Sequence, residues 1–301
     1  MPFPYQDETK ELNDATRKEI GGSFIALPNG ITHYELSSDS PLHAGRGPEG
    51  RDVVLVHGFS VPMFIFDPLF SLLTQSDFRV LRYDQFGRGF SNRPHTRYNI
   101  DLFDKQLYDL LDVLRLTSPV NLIGLSMGGP VAATFTTRHP ERVRSLTLFD
   151  PSGVRSISLT PLLKMAKVPI VAEAVFGWMG TEKMIEVAKQ DFFDPKLMDV
   201  YIDRYRIQMQ YKGFKRALLS SVRNNMLDTF VNAYGRVGKM ETPVQLFWGR
   251  DDATVPFEHS ADLQALIPNA EFHAIENCGH VPFHEKPDEV GPILLRFLRK
   301  L

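Results

Sequence analysis

Val120-Asn-Leu-Ile-Gly-Leu-Ser-Met-Gly-Gly129 carries an apolar run into a serine that has glycine two residues before and two residues after it. The run reads as a buried strand, and Pro130 to Arg138 reads as a helix that follows at once. A serine in so tight a strand-to-helix turn takes up a strained backbone conformation. Side chains at the flanking positions would collide with the neighbouring strand and helix, so only small residues serve there. The turn leaves the hydroxyl exposed near the amide dipoles of the helix start, where developing negative charge is stabilised. Ser126 is therefore a candidate nucleophile.

Working outward, short apolar runs of the same kind recur at Val53 to Val56, Val80 to Tyr83, Leu146 to Phe149, Val244 to Trp248 and Glu271 to Ile275. Helical patterns separate most of them: Phe66 to Thr74, Asp101 to Leu114, Pro130 to Arg138, His259 to Ile267 and Asp288 to Leu301. Alternation of this kind implies right-handed crossovers and a mostly parallel, doubly wound α/β sheet. Ser23 to Leu27 and Ile31 to Leu36 flank Pro28-Asn29-Gly30, a hairpin signal. Residues 7–20 are polar and suit a surface helix or a loose arm. Ser37 to Gly50, rich in Ser, Gly and Pro, reads as an exposed loop.

Composition bounds the function. With 301 residues and 43% apolar residues, the chain has material for one large core, or a core and a lid. A net charge of −2 gives no reason to expect nucleic acid or an anionic membrane as partner. The single cysteine, Cys278, excludes an internal disulfide. The N-terminus has neither a basic n-region nor an apolar h-region, so no secretory signal is expected and the location expected is cytoplasmic. The nearest approach to a spanning segment, Pro161 to Met179, is interrupted by Lys164, Lys167, Pro169 and Glu173.

Arg155 to Lys239 breaks the strand–helix rhythm, reading as several helices and no strand. It holds Met165, Met179, Met184, Met198, Met209 and Met226, with Met240 at its border, and many aromatic residues. These residues serve as the core of a helical subdomain, and an adaptable apolar face of it would lie over the active site.

Ligands of open α/β sheets sit at the carboxyl ends of strands, so polar residues there count for most. After Val56 comes His57-Gly58-Phe59, where the backbone bends to point the Phe59 amide at a substrate oxyanion. Together with the Met127 amide it makes a two-donor oxyanion hole. His57, fixed in a tight turn, reads as a structural hydrogen-bonding residue. Asp84 and Arg88, in the compact loop up to Ser91, read as braces. A serine nucleophile needs a base, and the base needs an acid. His280, in a glycine-preceded loop past the last strand, is the candidate base, while His273 falls within that strand, His284 starts the final helix and His259 lies on a helix surface. Asp251 and Asp252 follow Gly249-Arg250, and Asp150 ends the Leu146–Phe149 strand; all three are candidate acids. Cys278 reads as a small packing residue. No cluster of His, Cys or carboxylates calls for a metal, and neither metal nor organic cofactor is expected.

These motifs together resemble the α/β-hydrolase superfamily, in the capped serine-hydrolase branch of carboxylesterases and monoacylglycerol-lipase-like enzymes. The likeness runs from Ile31 to Leu301 and rests on His57-Gly58-Phe59, Asp84–Ser91, Gly124–Gly129, Trp248–Pro256 and Gly279-His280. It implies an N-terminal arm at residues 1–22, a core at 23–154 and 240–301, and a helical cap at 155–239, inserted after the sixth core strand. In similar proteins the acid lies three residues after the glycine of W-G-x-x-D, which matches Asp252 and leaves Asp251 to brace the loop. Ser126 at the elbow speaks against epoxide and halide chemistry, where relatives use aspartate. The implied activity is cleavage of small to medium apolar carboxylic esters by Ser126, Asp252 and His280. The alternatives are carbon–carbon hydrolysis of ring-fission dienols, whose enzymes usually have a more glycine-rich oxyanion loop, cofactor-free perhydrolysis, and ligand sensing without catalysis.

Overall fold

The computed structural model describes residues 5–37, 51–156 and 171–301. The expected loop beyond Ser37 and most of Pro161 to Met179 lie outside the described residues. Helix α1 (Asp14–Glu19) precedes the hairpin β1 (Ser23–Leu27) and β2 (Gly30–Leu36). Then come β3 (Asp52–Val56), α2 (Asp67–Gln75), β4 (Arg79–Tyr83), α3 (Ile100–Val113), β5 (Val120–Leu125), α4 (Gly128–Arg138) and β6 (Val143–Phe149). A helical insertion follows: α5 (Val171–Lys189), α6 (Ile202–Met209), α7 (Phe214–Arg223) and α8 (Val231–Val237). The chain closes with β7 (Val244–Gly249), α9 (His259–Leu266), β8 (Glu271–Ile275), α10 (Pro282–Glu285) and α11 (Pro287–Lys300).

All eight strands form one sheet in the order β1-β2-β4-β3-β5-β6-β7-β8. From β4 to β8 every pairing is parallel, and only β1 and β2 run antiparallel to their neighbours. The central strand β3 shows why its sequence is apolar throughout. Val53 and Leu55 face one core with Leu69 and Leu73 of α2 and Leu294 and Leu298 of α11. Val54 and Val56 face the other core with Leu107 and Leu110 of α3 and Val131 and Phe135 of α4. A strand covered on both faces has no solvated side to reserve for polar residues.

The insertion packs with the first of these cores. Met184, Ile185, Tyr205, Met209 and Leu218 are buried beside Phe64 and Phe66, and Met198 is buried with them. These methionines therefore fill gaps between helices. Met226 is buried in the opposite core. Among the described residues no helix is long and apolar enough to cross a membrane.

Two details differ from the sequence reading. Helix α4 begins at Gly128, two residues before Pro130, because Met127 already has helical backbone angles. His284 lies in the separate short helix α10, ahead of the final helix α11. The leading segment is also more fixed than a surface arm. Glu8 accepts the backbone N–H groups of Gly213 (2.6 Å) and Lys215 (2.7 Å) at the start of α7, and Asp7 meets the buried Lys215 ammonium at 2.8 Å. The first amides of a helix lack intrahelical partners, and a carboxylate there satisfies both their hydrogen bonds and the helix dipole.

A methyl group on Gly128 would lie 2.0 Å from the Val56 carbonyl oxygen, which no side-chain adjustment relieves. Gly128→Ala is expected to lower the unfolding free energy by about 3 kcal/mol, read by urea denaturation. Gly21→Ala, where nothing lies within 4 Å of the new methyl, is expected to stay within about 0.5 kcal/mol of the wild type.

Candidate active site

Ser126 sits between β5 and α4 with φ at 54°, a left-handed conformation that non-glycine residues rarely hold. Its neighbours hold it there. The Ser126 N–H donates to the Phe149 carbonyl at 3.0 Å, and its own carbonyl accepts from Gly129 at 2.8 Å and Ser152 at 3.1 Å. Strain of this kind persists where surrounding bonds over-determine it. The His57-Gly58-Phe59 turn lies against the hydroxyl: a methyl on Gly58 would be 3.6 Å from Ser126 Oγ. Among the described residues no group accepts the amide hydrogens of Phe59 or Met127. Met127 caps α4, so its amide also carries the positive end of the helix dipole.

The ends of β5, β6, β7 and β8 lie side by side at the same edge of the sheet, through Leu125↔Phe149, Phe149↔Phe247 and Gly249↔Ile275. Ser126, Asp150, Asp252 and His280 emerge from these ends in that spatial order. Asp252 Oδ1 accepts from the amides of Thr254 (2.7 Å) and Val255 (2.9 Å), and its Oδ2 meets His280 Nδ1 at 2.6 Å. The two loops can approach this closely because Gly249 has no side chain; a methyl there would stand 1.9 Å from the Gly279 carbonyl oxygen. Burial alone would strip the imidazole of its proton. Contact with Asp252, reinforced by Asp191, outweighs burial and holds His280 well above its ordinary pKa.

The other two acids are placed differently. Asp251 has an exposed side chain and braces the loop through its backbone, whose N–H donates to the Cys278 carbonyl at 2.9 Å. Asp150 is fully buried and accepts the Gly249 N–H at 2.8 Å through Oδ1. Its carboxylate, Asp252 and His280 have potential ligand atoms within 4.8 Å of one another, the make-up of a small cation site. Ligand atoms around one zinc ion, however, stand about 3.3 Å apart at metal distances of about 2.0 Å. The 2.6 Å contact between Asp252 and His280 is a direct hydrogen bond that leaves an ion no place between them.

His57, Asp84 and Arg88 build the floor. His57 Nε2 accepts the Gln85 N–H at 2.9 Å and Nδ1 faces the Gly58 carbonyl at 2.9 Å, so both ring nitrogens are occupied. Burial draws its pKa down to about 4, leaving it neutral. Asp84 accepts from the Met63 and Phe90 amides and pairs with His33 at 2.7 Å. Arg88 is fully buried and donates to the Phe59 carbonyl (2.8 Å), the Phe86 carbonyl (3.3 Å) and Ser221 Oγ in α7 (2.8 Å). Burial lowers its pKa to about 10, so it stays charged at neutral pH. Cys278 is buried, and burial pushes its thiol far up, which suits packing and not nucleophilic attack.

One contributor had no signal in the sequence. Asp191, just past α5, accepts the His280 backbone N–H on its carbonyl at 2.7 Å and the Thr254 hydroxyl on its carboxylate at 2.5 Å. It belongs to no motif, and only the packing of the insertion brings it to both loops.

An eight-stranded, largely parallel sheet flanked by helices, with a serine in a strand-turn-helix elbow, defines the class of α/β hydrolases. The family model described as "Alpha/beta hydrolase family" matches residues 53–292, and the chain belongs to that family. It is 29% identical over 239 residues to a 2-hydroxy-6-oxo-2,4-heptadienoate hydrolase of Pseudomonas putida, covering 77% of this chain and 83% of that one. Among solved structures it resembles a meta-cleavage product hydrolase of Pseudomonas fluorescens (TM-score 0.75, 23% identity, 93% of this chain and 98% of that one). An esterase of Exiguobacterium antarcticum is similar in the same way (TM-score 0.74, 17% identity, 93% and 100% covered). At these identities the two structures speak for the fold alone.

Lysine at position 88 would keep the charge but lose the planar fork that reaches three acceptors at once. Arg88→Lys is expected to cost about 2 kcal/mol of stability by urea unfolding, the scale of lost hydrogen bonds to a charged group.

Proposed function

We propose that the protein is a serine hydrolase that cleaves carboxylic esters through an acyl-enzyme formed on Ser126. The observation that carries this reading is the 2.6 Å contact of Asp252 Oδ2 with His280 Nδ1, at the sheet edge where the Ser126 elbow opens. In this mechanism Nδ1 carries its proton toward Asp252, which leaves Nε2 unprotonated and free to take the Ser126 proton as Oγ attacks the carbonyl. Asp252 stabilises the imidazolium that results. The Phe59 and Met127 amides receive the tetrahedral oxyanion, and each such donor is worth roughly 10²–10³ in turnover. His280 then returns its proton to the leaving alcohol and activates water against the acyl-enzyme. The insertion helices α5 to α8 act as the cap over this site.

A neutral ester fits the charges better than an anionic substrate. Arg88, the cation behind Phe59, has its donors committed to two carbonyls and Ser221, so it offers no open charge to a substrate carboxylate. Carbon–carbon hydrolysis is the second reading, favoured by the dienoate hydrolase to which the chain is 29% identical. An ester, lactone and dienol panel separates the two by relative kcat/KM.

Ser126→Ala is expected to lower ester turnover by at least about 10⁴-fold while the protein stays folded, since removing a triad nucleophile costs on the order of 10⁶ elsewhere. Retained turnover on nitrophenyl esters would end the mechanism. His280 acts as a neutral base, and its raised pKa means that the neutral form accumulates only at higher pH. The acid limb of kcat/KM is therefore expected above about 6.5, the ordinary imidazole value. Asp252→Asn is expected to move that limb down and to cost about 10⁴ in kcat.

A further inference from the structure

Asp150 occupies a place that the mechanism above does not use. It ends β6, held in a left-handed conformation (φ 43°) with its N–H donating to the Phe247 carbonyl at 3.0 Å. Its side chain is fully buried. Among the described residues Oδ1 has one donor, the Gly249 amide at 2.8 Å, while Oδ2 is enclosed with no group donating to it. Beside it, Asp252 takes three donors: two backbone amides and His280 Nδ1. The two carboxyls and the imidazole lie within 4.8 Å of one another. Two buried carboxylates so close to one imidazole do not both ionise, and the negative charge settles where donors are most numerous. That is Asp252. A buried oxygen without a donor is what a protonated carboxyl presents, because its O–H donates instead.

We propose that Asp150 is a neutral carboxylic acid whose O–H donates to the Asp252 carboxylate, making it a positioning residue that holds Asp252 against His280. Burial and the charge of Asp252 act in the same direction, holding the Asp150 carboxyl well above the usual carboxylate range. The other titratable groups around it are His280 and Cys278 from the loop after β8, and the buried Cys278 thiol is neutral. Asp191, from the insertion, faces His280 and Asp252. Asp150 thus adds a hydrogen bond to the acid without adding a second negative charge beneath the base. The role rests on the Ser126–His280–Asp252 reading above.

Two substitutions test it. Asparagine reproduces the pattern of a neutral acid, with an oxygen for the Gly249 amide and an N–H for Asp252; alanine supplies neither. Asp150→Ala is expected to lower kcat about 10- to 100-fold with KM little changed, the scale of leaving buried polar groups without partners. Asp150→Asn is expected to recover most of that loss and to leave the acid limb of kcat/KM where it is in the wild type. A limb that falls by a unit or more in Asp150→Asn would mean that a negative charge had been removed, and would overturn the proposal. So would Asp150→Ala with wild-type kcat. Should the alanine variant fail to fold, the asparagine variant decides alone through its pH profile. The His280 Nδ1–H resonance, titrated by proton NMR in wild type and Asp150→Asn, gives a readout that needs no turnover. An unmoved midpoint supports a neutral Asp150, and a downward shift of a unit or more overturns it. If Ser126→Ala keeps its activity, the serine reading fails by itself and the NMR titration still decides the state of Asp150.

Discussion

The chain passes from β5 into α4 within two residues, and α4 leaves so steeply that Gly128 touches the Val56 carbonyl of β3. That contact is the constraint from which the rest of the site follows. Ser126, in this tight turn, is held in the left-handed region by the bonds to Phe149, Gly129 and Ser152. The contact brings the Met127 amide to the helix start and the following turn of β3, with Gly58, onto the hydroxyl. A side chain at Gly128 would push the helix away from β3, and one at Gly58 would crowd the Ser126 side chain.

Charge is distributed around this turn by burial and by the supply of donors. His57 and His280 are both buried histidines at strand ends, yet they fall on opposite sides of neutrality. His57 meets only backbone groups and a side-chain amide, so desolvation wins and the ring is neutral. His280 meets a carboxylate at hydrogen-bonding distance, and Coulomb attraction wins over the same desolvation. Environments that push like groups apart in this manner are how one fold assigns structural and chemical roles to the same residue type.

The helical insertion is joined to both halves of the site by polar contacts as well as by packing. On one side Ser221 of α7 meets Arg88, which holds the Phe59 carbonyl. On the other, Asp191 holds the His280 backbone and the Thr254 hydroxyl. A shift of these helices would therefore disturb the Phe59 turn and the His280 loop together. The buried methionines between the helices, with their unbranched and polarizable side chains, suit a layer that repacks when it moves.

By itself the sequence determined the sheet and the serine turn. Val53 to Val56 reads as a doubly covered strand because both its faces are apolar, and Gly124 and Gly128 mark the turn because no larger residue fits there. His280 was legible as a loop residue past the last strand for the same local reason. The sequence did not separate Asp150, Asp251 and Asp252 without appeal to similar proteins, since three carboxyls at two neighbouring strand ends look alike until their directions are known. Tertiary structure sets the three apart by placing two backbone amides and an imidazole on Asp252. It also decided the places of Asp191, Glu8 and Lys215, whose partners lie far away in the chain. The division has a physical cause: periodicity and backbone sterics are local and written residue by residue, whereas the partner of a buried charge is fixed only when distant segments meet.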